Sequence, residues 1–212
     1  MITTRERLRP SEVLALWSGR TPSLDALVRR VVPAEGRHLS FMSQGKAVFE
    51  QIVVSAGLAG ARVIVPAFFP DDFVGVFAKY RMTPVFVDVD PETYHLDLRT
   101  ITPEALRDAR ALLLEHVFGL PADGERYRRF CDDHGLLLIE DCARALGASY
   151  RGRQVGSFGQ YAMFSLPKCT SVRAGGLGLS EVPLQAPPHP ARLGLAGALH
   201  AATLVKYPGT DL

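Results

Sequence analysis

Cysteine is scarce in this chain: three copies, Cys131, Cys142 and Cys169, occur among 212 residues, and none forms a C-x-x-C pair. An odd number at such spacings argues against both a disulfide framework and a thiolate zinc site. Cys142 and Cys169 adjoin polar positions of interest, but they read first as small apolar fillers. An excess of one charge is also lacking, since 24 basic and 22 acidic residues leave a formal net charge of +2. That balance speaks against nucleic acid or a membrane surface as a partner, and Arg126, Arg128 and Arg129 read as the solvated face of a helix. The apolar stretch from Leu193 to Val205 is too short for a membrane span and contains His200. The opening MITTRERLRPSE lacks the apolar core of a secretion signal. The expectation is a cytoplasmic protein, and a composition 47% hydrophobic and 22% charged supplies ample material for one core.

What is present is an alternation of strands and helices. Strand-like apolar runs lie at Arg62–Pro66, Pro84–Asp90, Ala111–Phe118 and Leu136–Ile139, with helical patterns at Phe73–Tyr80, Pro103–Arg110 and Glu125–His134 between them. This rhythm indicates an α/β fold with a largely parallel sheet and helices on both faces. Residues 41–60 read as a loop opening an amphipathic helix, with Val48, Ile52 and Val53 on one face. Its small-residue turn around Gly45 and Lys46 is a candidate phosphate cradle, because free N–H groups and the helix dipole both favour an anion. Residues 1–40 carry helical patterns and are expected to form an arm, residues 41–180 the main domain, and residues 181–212 a proline-rich linker with a terminal helix over 191–206.

Polar residues concentrate in Gly135–Leu179, the stretch around which the rest is organised. The run Leu136–Ile139 delivers Glu140 and Asp141 at the C-terminal end of a buried strand. A second run, Tyr161–Leu166, delivers Ser165 and then Lys168, followed by Gly175-Gly176. Ligands of open α/β sheets bind outside the carboxyl ends of the strands, so both sets should face one crevice. A carboxylate and a lysine converging there suit a cofactor with a basic ring nitrogen and an aldehyde, the chemistry of pyridoxal phosphate (PLP).

The segments EDCARALGASYRGRQVGSFGQYAMFSLPK and AGG, with PVFVDVDPETYHLD and EHVFGLPAD upstream, resemble the DegT/DnrJ-type PLP-dependent aminotransferases, whose best-known members aminate nucleotide-linked keto-sugars. The resemblance covers most of residues 40–180. It implies the large domain of the type I PLP-enzyme fold, a mostly parallel seven-stranded sheet, and a homodimer whose active sites draw on both subunits. It implies that Lys168 carries the cofactor, that Asp141 pairs with the ring nitrogen and that Ser165 binds the phosphate. The turn holding Gly45 and Lys46 matches the family's phosphate-binding turn in part. A flat side chain from the PAFFPDD loop would stack on the ring, with Phe69 preferred over Phe68. His116 matches a family position, but a lone histidine there is more often loop-orienting than catalytic.

Three departures stand out. Arg144 occupies the position of a family glutamine near the ring hydroxyl. Ser165 and Lys168 are three positions apart, closer than in the sugar aminotransferases. The family's C-terminal small domain is expected to be absent. The expected activity is therefore amino transfer from glutamate or a similar donor to a keto-sugar-type acceptor, slow in this chain alone. A catalytically degenerate structural partner and a PLP enzyme of another reaction type are the alternatives.

Overall fold

The apolar runs of the sequence become strands buried on both faces, in a computed structural model that describes residues 28, 29, 31–170, 172 and 174–185. The helical readings of residues 11–17, most of 23–32 and 191–206 lie outside the described residues. The strands are β1 (His38–Met42), β2 (Arg62–Pro66), β3 (Thr83–Val87), β4 (Ala109–Glu115), β5 (Leu137–Asp141), a small hairpin β6 (Ser149–Tyr150) and β7 (Arg153–Gln154), then β8 (Tyr161–Ser165) and β9 (Gly176–Ser180). Apart from the hairpin they form one seven-stranded sheet in the order β1-β9-β8-β5-β4-β2-β3. Strand β9 runs antiparallel to both its neighbours, and every other pairing beyond them is parallel. The expected α/β fold with a mostly parallel seven-stranded sheet is thus found.

Side-chain alternation divides the sheet into two faces. On one, Val63, Val65, Ala111, Leu113 and Ile139 pack against Val48, Phe49 and Ile52 of α1 (Gly45–Ser55) and Val76 and Phe77 of α2 (Val74–Lys79). On the other, Ile64, Leu112, Leu114 and Leu138 pack against Ala105 of α3 (Pro103–Leu106) and Tyr127 and Cys131 of α4 (Gly124–His134). Central strands covered on both faces need apolar residues at successive positions, which is why they read as continuous runs.

Several boundaries differ from those expected. Helix α3 is capped by Thr102, whose side chain accepts from Ala105 N, but it ends at Leu106 because Arg107 turns to extended ψ and Asp108 takes φ 57°. The strand expected over 111–118 stops at Glu115, and Val117–Gly119 forms a tight turn with Phe118 at φ 56°. Strand β3 ends at Val87, beyond which Val89 makes only an isolated bridge to Leu96. Strand β1 spans His38–Met42 and so crosses the boundary expected at residue 40.

Strand β9, GLGLS, has little intrinsic strand preference. Its glycines serve close approach. A Cβ on Gly176 would collide with the backbone of Gln44 and sit 2.7 Å from Gly45 N, and Gly175 donates its N–H to Ser43 O at 2.8 Å. The first turn of α1 is thereby held against the sheet beside the end of β8. Gly176→Ala should lower stability by about 1–3 kcal/mol in urea unfolding, because backbone cannot yield to a new methyl cheaply. An unchanged urea midpoint would show that this contact does not hold the turn.

Candidate active site

Two consecutive acids at the end of β5 point to opposite faces of the sheet and meet opposite environments. Glu140 is fully buried and accepts four hydrogen bonds: from His116 Nε2 at 3.0 Å, Gly156 N at 2.8 Å, Phe158 N at 2.7 Å and Gly159 N at 2.6 Å. The N–H of Ala122 donates to His116 Nδ1 at 3.1 Å, so Nε2 carries the imidazole proton and donates to Glu140. Burial alone would push the Glu140 carboxyl up; the His116 hydrogen bond and the N–H groups of Gly159 and Gly156 outweigh it and hold Glu140 below the usual carboxylate range. From the other side, Arg37 donates to the carbonyls of Gly156, Gly159 and Gln160, each at 2.9 Å. His116, Glu140 and Cys142 are close enough to hold a metal ion, but both oxygens of Glu140 and both nitrogens of His116 already have partners. His116 is thus loop-orienting in this fold.

Asp141 faces the other way, into a cavity of about 240 Å³ beyond the strand ends. Glu115, Lys168, Arg144, Phe68 and Phe69 line the same cavity. Asp141 is 3% exposed, and its carboxylate accepts from Ala143 N at 2.8 Å. Burial pushes Asp141 up; the Ala143 N–H and the nearby Lys168, His116 and Arg144 only partly oppose this. Lys168 reaches the cavity from α5 (Leu166–Cys169), directly after β8.

The expected phosphate-binding residues form a second group. Gly45 opens α1, where Gln44 provides no side-chain cap, and a Cβ on Gly45 would lie 3.5 Å from Ser165 Cβ. The Ser165 hydroxyl makes no capping bond to α5. An uncapped helix N-terminus therefore lies beside a hydroxyl three residues ahead of Lys168, a donor set that suits an anion. Lys46 is exposed, and neither it nor Gly45 nor Ser165 lines the cavity of Asp141.

The two candidate stacking residues are set differently. Phe69 packs against Phe73, Phe77 and Phe86 at 5.7, 5.5 and 6.2 Å between ring centroids. Phe68 is 47% exposed at the cavity rim, 5.9 Å from Tyr94 and 5.8 Å from Phe118. Glu115 joins the cavity without having been among the residues that the sequence pattern singles out. Its signal, an acid at the end of an otherwise apolar strand, was the same one that marked Asp141.

The sequence profile of the DegT/DnrJ/EryC1/StrS aminotransferase family matches residues 41–175. The chain belongs to this family. GDP-perosamine synthase of Vibrio cholerae is 31% identical over 130 residues, 61% of this chain and 35% of that protein. L-glutamine:scyllo-inosose aminotransferase of Streptomyces griseus is 39% identical over 108 residues, 51% of this chain and 26% of that protein. The crystal structure of S. venezuelae DesV, in complex with a ketimine intermediate, superposes with a TM-score of 0.64 and 30% identity, covering 81% of this chain and 48% of DesV. The chain therefore spans about a third of the curated relatives' length and about half of the solved structure.

Opposite pH responses follow from these environments. Glu140→Gln should cost about 1–3 kcal/mol or more at neutral pH, because its amide NH2 replaces an acceptor oxygen and leaves buried donors without a partner. Because the Glu140 carboxyl is held below its usual range, the contribution is present at neutral pH and fades in acid as pH falls through the folded-state value. A penalty independent of pH would refute that origin. Glu115 behaves the other way: burial, then the Asp141 charge, raise it from 4.5 to about 7, so ionising it costs stability as pH climbs through that window. Glu115→Gln should melt above the parent at about pH 8 and with it at about pH 4; the reverse order would contradict this.

Proposed function

We propose that this chain is the cofactor-binding domain of a PLP-dependent aminotransferase that moves an amino group from L-glutamate or L-glutamine to a keto group on a sugar or cyclitol. The observation that carries the reading is the shared cavity of Asp141 and Lys168. The residues fit the cofactor at both ends: a buried carboxylate suits a basic ring nitrogen, and the Gly45–Ser165 group suits a phosphate. The names of the relatives, a perosamine synthase and an inosose aminotransferase, support the acceptor class.

Bound there, PLP supplies an aldehyde for amine exchange and a ring that accepts electron density from the reacting carbon. Lys168 would hold the cofactor through Nζ and offer an amine there able to carry a proton. Asp141 keeps the ring nitrogen protonated. Ser165 and the first N–H groups of α1 anchor the phosphate, with Lys46 adding positive charge nearby. Phe69 or Phe68 covers the ring face and keeps water out, and Arg144 supplies a cation near the ring hydroxyl. We place the protein in the cytoplasm as a homodimer, with the exposed rings of Phe68 and Phe118 near its subunit contact; light scattering that reports a monomer would contradict the dimer.

Purified protein mixed with PLP should gain a visible absorbance band, and borohydride should fix the cofactor on Lys168. Lys168→Ala should lose the band. Asp141→Asn should still bind cofactor but exchange amino groups with glutamate at least about 10²-fold more slowly. Retention of the band by Lys168→Ala, or full activity of Asp141→Asn, would remove that residue from its role. A good band with no amino exchange would favour a degenerate partner, and loss of a leaving group from the substrate would favour elimination chemistry.

A further inference from the structure

Glu115 is the last residue of β4 and stands in register with Asp141 of β5. Strand neighbours in register project side chains to the same face about 5 Å apart. Both line the cavity, and the four residues before Glu115 on its strand, Ala111–Leu114, are wholly buried and apolar. Its Oε2 is buried and has no hydrogen-bond partner. An acid left unsatisfied beside a second acid carries a cost that an apolar residue at the same position would avoid. The charged groups around it come from every neighbouring element: Asp141 on β5, Arg144 in the turn after it, Lys168 on α5, and Asp71 and Asp72 in the loop after β2. Burial and the Asp141 charge raise Glu115; Lys168 and Arg144 oppose them without cancelling them. Two carboxylates so close in a poorly solvated site do not both ionise readily, so their protons come off as a pair.

We propose that Glu115 and Asp141 act as one carboxyl–carboxylate pair that holds a proton in the cofactor-free protein and gives it up when the pyridinium ring of PLP arrives. The proton passes to solvent when the ring arrives already protonated, and to the ring nitrogen when it arrives neutral. Asp141 then faces the ring's positive charge with a second carboxylate beside it, and the ring nitrogen keeps its proton to higher pH than with Asp141 alone. Glu115 is a positioning residue acting through Asp141. The inference deepens the cofactor reading and rests on it.

The test is calorimetric titration of the cofactor-free protein with PLP at about pH 6, repeated in buffers of different ionisation enthalpy to count protons. Lysine attachment contributes equally in all variants, so the difference between them is the readout. The parent should release about one proton more per PLP bound than Glu115→Gln, and the difference should vanish by about pH 8.5. Glu115→Asp, which keeps the acid, should retain most of the release, a rescue that a packing role would not produce. Equal release by the parent and Glu115→Gln, with binding intact, would overturn this inference alone. If PLP binds neither, the cofactor reading fails and takes this inference with it.

Discussion

A buried carboxylate with every lone pair engaged holds this sheet to its loops. Moving Glu140 out of water is expensive, and its position is tolerable only because a histidine and three backbone N–H groups replace the lost solvent. Those donors come from segments far apart in the chain. His116 lies just past β4, while Gly156 to Gly159 form the loop before β8. The same loop offers its carbonyls to Arg37, so it is gripped by an acid on one edge and a base on the other. Removing Glu140 would leave His116 and three backbone N–H groups without their acceptor, and the ends of β4, β5 and β8 would lose their common reference.

The next residue meets a different environment. Asp141 shares a strand end with Glu140 but faces a cavity, with far fewer donors to compensate its burial. The two carboxyls are shifted in opposite directions, Glu140 down and Asp141 up. The cause is hydrogen bonding, since burial acts on both in the same sense. The desolvation cost thus falls on the cavity face, where Glu115 and Asp141 lie with Asp71, Asp72, Lys168 and Arg144.

Glycine governs the other end of the site. With no side chain at position 176, β9 can lie against the turn that opens α1, and that turn then sits beside Ser165. In this family member, an uncapped helix terminus and a lysine-bearing turn are brought together at the strand ends by a strand with two glycines. The family match runs from the turn before Gly45 through Lys168 to Gly175, ending one residue before β9.

The sequence by itself determined the fold class and the polar clusters, because both are local. Central strands covered on two faces must be continuously apolar, so RVIVP, ALLL and LLLI were legible, and acids or a lysine at their ends stood out against that background. Helix α4 was legible as a helical pattern over Glu125–His134, and the structure adds its cap, Asp123, and its stop, Gly135 in the left-handed region. Only the tertiary structure decided what these residues meet. Strand β9 exists because β1 and β8 flank it, although GLGLS carries no strand preference. Glu140 and Asp141 are adjacent and chemically alike, yet one is a structural anchor and the other a cavity acid. Strand alternation sends them to opposite faces, and only folding shows which face meets donors and which the cavity. Glu115 became a neighbour of Asp141 through strand register, a contact between residues 26 positions apart. Periodicity encodes burial, but partners are chosen by packing between distant segments, and no local pattern records that choice.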